Sequence, residues 1–127
     1  MGGPYLVGPP KGTDWKLDRD RFAQALCERW PTADIGGGPV GEPIHLIWSI
    51  RFYDEDGGTT GPYLDGTLDP AYQAFSLYGT PSLAAEFVVW VRKFAPDQQL
   101  VLLADNDRPT FPVLPITTVE EVIDFIS

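Results

Sequence analysis

The chain has 127 residues, with 9 Lys and Arg against 18 Asp and Glu and a formal net charge of −9; 43% of its residues are hydrophobic and 13% aromatic. That length and apolar content suit one domain with a sizeable core and exclude a disordered polar chain. Few, scattered basic residues argue against a nucleic-acid surface, and no apolar run approaches the about 20 residues of a membrane span.

The first segment, MGGPYLVGPPKG, carries neither the basic nor the apolar part of a secretory signal, so cytoplasmic residence is the expectation. Its prolines and glycines bracket a short apolar run, Tyr5-Leu6-Val7, and predict a loose arm over residues 1–14 or a short edge strand. A helix is expected over 18–30, with Asp18 as N-cap and Phe22, Leu26 and Trp30 along one stripe. Arg21, Gln24 and Glu28 face water, and Pro31 stops it. Cys27 lies on this helix and reads as a small buried hydrophobe.

Residues 36–41, GGGPVG, match the glycine pattern of dinucleotide-binding loops but stand in inverted order, after a helix and before a strand, and read as a flexible connector. Ile44–Tyr53 is the clearest strand. Ile44, Leu46, Trp48, Ile50 and Phe52 form an apolar face, while His45, Ile47, Ser49, Arg51 and Tyr53 form a mixed one. Asp54-Glu55-Asp56-Gly57-Gly58 follows as a hairpin turn. Strands over 63–68 and 72–78 complete a meander, and strands over 99–104 and 110–114 come after the central helix.

That central helix is expected over 80–95. Thr80-Pro81 supplies its start signal and Pro96 its stop; Leu83, Phe87, Trp90, Val91 and Phe94 point to the core. A last helix over 118–126 opens on Thr118-Val119-Glu120-Glu121, a capping box. The whole reads as α+β: an antiparallel sheet of about four to six strands with three helices packed on it.

One histidine, one cysteine and no phosphate-cradling loop leave no catalytic nucleophile, zinc site or cofactor site to name. The 54–58 turn lacks calcium-loop spacing, because Gly58 and Thr59 stand where an oxygen ligand and a glycine are needed. Three classes of function remain. The leading one is a non-catalytic module that binds a basic protein through Asp54, Glu55 and Asp56, anchored by Phe52, Tyr53 and Tyr63. The others are a small-ligand pocket lined by Tyr63, Tyr72 and Tyr78, and an enzyme using Asp54 or Asp56 with Asp65.

The order of a short helix ending in Arg29-Trp30-Pro31, a Trp-bearing strand, a meander, a helix with Trp90-Val91-Arg92 and a helix opening Thr117-Thr118-x-Glu120-Glu121 resembles small stand-alone bacterial immunity-type α+β proteins. Such proteins neutralise a toxin by binding it. The resemblance lies in layout and implies inhibition of a protein partner.

Overall fold

The computed structural model describes residues 5–9, 19–37, 46–52, 55–58, 61–68, 74–94, 100–103, 110–114 and 116–126. In chain order these form β1 (Tyr5–Gly8), α1 (Arg19–Arg29), β2 (Asp34–Gly37), β3 (Leu46–Ile50), β4 (Leu64–Leu68), β5 (Phe75–Gly79), α2 (Pro81–Phe94), β6 (Val101–Leu103), β7 (Phe111–Pro112) and α3 (Val119–Ile126). The strands build one antiparallel sheet in the order β2-β3-β4-β5-β1-β6-β7, and the fold is α+β.

Strict alternation decides which side of this sheet meets the helices. Trp48, Ile50, Leu64, Leu68, Phe75, Leu77, Tyr5, Val7 and Leu102 point to one side and are buried there with residues of all three helices. Phe87 of α2 sits at the centre. Its ring lies 4.6 Å from Trp48, 5.3 Å from Phe75, 6.1 Å from Trp30 and 6.3 Å from Phe22. Burying a phenylalanine completely is worth roughly 1.5–3 kcal/mol, before the aromatic pairs are counted. Helix α3 adds Val122 and Ile126, and its Phe125 ring lies 4.9 Å from Phe111 of β7.

The two helix starts differ. At α3, Thr118 N–H donates to Glu121 Oε1 (3.0 Å) and Glu121 N–H donates to Thr118 Oγ1 (3.2 Å), the expected reciprocal cap. At α2 the Thr80 carbonyl accepts the first helical bond from Ala84 N–H (2.9 Å), but the Thr80 hydroxyl does not cap the helix. Instead it accepts from Tyr63 N–H (3.1 Å), while Thr80 N–H donates to the Tyr63 carbonyl (2.9 Å). The start of α2 is thereby tied to the residue before β4.

Several expectations are corrected. The sheet has seven strands, because Asp34–Gly37 is a strand and Gly36-Gly37 belong to it instead of to a connector. Glycine is tolerable there since β2 is the outermost strand and has a neighbour on one side only. Residues 5–8 are not an edge: they lie between β5 and β6, with Tyr5 and Val7 buried. Cys27 is exposed, because α1 buries the Phe22-Leu26-Trp30 stripe and turns position 27 away. Trp90 is half-buried, stacked beside Phe94 at 5.7 Å and edge-on to Trp30 at 5.3 Å. The 1–14 arm beyond residues 5–9, the Asp18 cap, His45 and the Pro96 stop lie outside the described residues.

Candidate functional site

The side of the sheet away from the helices carries no covering element among the described residues. Register arranges its side chains in two rows across the strands. One row runs Asp34 (β2), Ser49 (β3), Asp65 (β4), Tyr78 (β5). The next runs Gly36 (β2), Ile47 (β3), Thr67 (β4), Ser76 (β5), Leu6 (β1), Leu103 (β6). Three large apolar or aromatic side chains stand out of it: Leu6 is 42% exposed, Ile47 46% and Tyr78 52%.

Between the rows lies a shallow depression of about 530 Å³. The small side chains of Ser49, Thr67 and Ser76 lower its floor, Ile47 and Tyr78 rise on either side, and Asp34 and Asp65 supply its charge. Among the described residues no basic side chain lines it.

Just past the end of β3, Arg51 forms a second feature. Its Nη2 pairs with Asp65 Oδ1 at 2.8 Å, its Nη1 donates to the Ile50 carbonyl at 3.0 Å, and the guanidinium lies over the Tyr63 ring, 4.9 Å from its centroid. The backbone tie between Tyr63 and Thr80 fixes the platform on which this guanidinium rests. Half-exposed pairs of this kind contribute about 0–1 kcal/mol, so its role is chiefly to hold Asp65 and Tyr63 in place.

The sequence-derived residues divide as follows. Glu55 and Asp56 are exposed in the turn between β3 and β4, where Gly57 takes a positive φ of 84°. Asp54 and Tyr53 lie outside the described residues. Phe52 is partly buried and packs against the core, so it offers a partner only its outer edge. Tyr63 is 42% exposed and bears Arg51 on its face. Of the three tyrosines suggested for a ligand pocket, Tyr78 lines the depression, Tyr63 does not, and Tyr72 is outside the described residues. Asp65 is ion-paired with Arg51, its side chain 45% exposed.

Asp34, Ser49, Thr67 and Ser76 were not singled out from the sequence. Alternation within 63–68 and 72–78 already puts Asp65 with Thr67 and Ser76 with Tyr78; what was missing is the cross-strand register, and at Asp34 the strand itself. Among the described residues no group of three or more His, Cys, Asp or Glu is placed to hold a metal ion, and no helix is long and apolar enough to cross a membrane. Compared with protein-family models, with curated proteins and with solved structures, the chain shows no significant match.

Proposed function

We propose that the chain is a non-catalytic protein-binding module whose partner is basic, acting by covering a functional surface of that partner as inhibitors and immunity-type proteins do. The observation that supports this reading most is the uncovered sheet face, which exposes Leu6, Ile47 and Tyr78 beside the carboxylates of Asp34 and Asp65. Aromatic and aliphatic anchors provide affinity, whereas the net charge of −9 favours rapid encounter with a cation-rich surface. Glu55 and Asp56 extend the acidic character past the Arg51 end of the face.

Capture of partners on immobilised protein, comparing wild type with Ile47→Asp and with Glu86→Gln on the exposed side of α2, tests the reading. The expected result is a basic partner that is lost with Ile47→Asp and retained with Glu86→Gln. Once that partner is in hand, changing Asp54, Glu55 and Asp56 together to amides slows association and flattens its salt dependence, with dissociation less affected. An acidic partner, or capture indifferent to Ile47→Asp, refutes the reading.

A further inference from the structure

The depression between the two rows has a shape and a charge that select one kind of side chain. Ile47 on β3 and Tyr78 on β5 stand two strand spacings apart, roughly 10 Å, with Asp65 and Thr67 of β4 between them and Ser49 and Ser76 beside them on their own strands. A slot of that width accepts an extended side chain with an apolar stem and a flat head. Its charge is equally restrictive. Asp34 and Asp65 bring two carboxylates against the single guanidinium of Arg51, which leaves one negative charge uncompensated by any described group. Asp34 has no ion-pair partner among the described residues, and the Arg51 pair occupies only Oδ1 of Asp65. A carboxylate accepts about four hydrogen bonds in all, so both acids have capacity left.

From this geometry we propose that the depression is an arginine socket: the partner inserts one arginine whose guanidinium stacks on the Tyr78 ring and donates to Asp65 Oδ2, with its methylenes along Ile47, while Asp34 at the far end of the row adds attraction across the depression without touching it. The proposal rests on the protein-binding reading given above and deepens it. The chain itself displays related chemistry one row away, where the Arg51 guanidinium lies over the Tyr63 ring and donates through one nitrogen to Asp65 and through the other to the Ile50 carbonyl. Asp65 then stands between two guanidinium–tyrosine stacks, one internal and one supplied by the partner. Lysine fits less well, because its ammonium is a strongly hydrated point charge that neither stacks on a ring nor forks to a carboxylate. The hydroxyls of Ser49, Thr67 and Ser76 accept the remaining guanidinium protons.

The test does not require the partner. Isotope-labelled full-length protein is titrated with N-acetyl-arginine methylamide and, separately, with the lysine analogue, and backbone amide shifts are followed at low salt. The expected result is saturable shifts confined to residues around Ser49, Asp65, Thr67, Ser76 and Tyr78, stronger for the arginine probe. Tyr78→Ala weakens the response about two- to fivefold, as loss of an exposed cation–π contact should. Asp34→Asn weakens it by a smaller factor, through lost attraction across the depression, and Glu55→Gln leaves it unchanged. Shifts located elsewhere, an equal response to the lysine analogue, or indifference to both Tyr78→Ala and Asp34→Asn overturns the socket. If that happens while Ile47→Asp still abolishes partner capture, the protein-binding reading stands and only the arginine assignment falls.

Discussion

Trp48 and Gly66 occupy directly opposed positions on β3 and β4, and the six-membered ring of the indole covers the glycine where a β-carbon would otherwise stand. Any side chain at 66 would penetrate that ring. Ring and glycine therefore form one packing unit, with Phe87 of α2 closing the other side of the indole at 4.6 Å. The indole N–H, sealed in the core, donates to no described residue, so the position is held by shape and apolar burial and not by a hydrogen bond among those residues.

The first prediction follows directly. Gly66→Ala forces Trp48 out of its site and costs about 1–3 kcal/mol or more, the usual penalty of overpacking. Denaturant unfolding followed by tryptophan fluorescence measures it. In a double variant with Trp48→Leu the two penalties should sum to more than the observed loss, since removing the indole relieves the clash. An unchanged unfolding midpoint for Gly66→Ala would show that the indole is not seated over residue 66.

Alkaline pH supplies the second. Burial in the sheet pushes the Tyr5 phenol above its ordinary value near 10. With the folded value raised, the unfolded chain loses its proton first as pH rises, so folding stability is intact below about pH 10 and declines above it. Tyr5→Phe should make that decline shallower when stability is measured across the alkaline range. Parallel curves for the two proteins would mean that Tyr5 titrates alike in both states.

The third concerns the lone cysteine. Because Cys27 is exposed on α1, the native protein should react with a thiol reagent at one equivalent without denaturant. A buried thiol would instead react only through unfolding, and strong protection in native buffer would contradict the exposed placement.

How far the fold could be read in advance depended on whether the signal was local. Proline after Thr80 and the apolar spacing Leu83-Phe87-Val91 located α2 to within a residue at each end, and the Thr118–Glu121 cap did the same for α3. Trp48 and Ile50 declared the buried face of β3 through alternation alone. By contrast, Asp34-Ile35-Gly36-Gly37 has little intrinsic strand preference and exists as β2 because β3 offers it a partner. Cys27 went astray because one helical position separates the buried stripe from the wet one. For the candidate site the face of each strand was legible, but the assembly of Asp34, Ser49, Asp65 and Tyr78 into one line is a product of register across four strands, which no single segment encodes.

The place of β1 has a consequence for how the sheet is assembled. The meander β2-β3-β4-β5 and the hairpin β6-β7 share no ladder; each bonds to β1, which pairs Tyr5 with Leu77 on one side and Val7 with Leu102 on the other. A four-residue strand is therefore the keystone joining two otherwise separate half-sheets. Such pairings close very long loops, so they belong to the slow, late steps of folding. Until β1 docks, β5 and β6 each present a raw hydrogen-bonding edge, and the same segment from a neighbouring molecule satisfies those edges equally well, which makes strand exchange between copies the characteristic misassembly of this architecture.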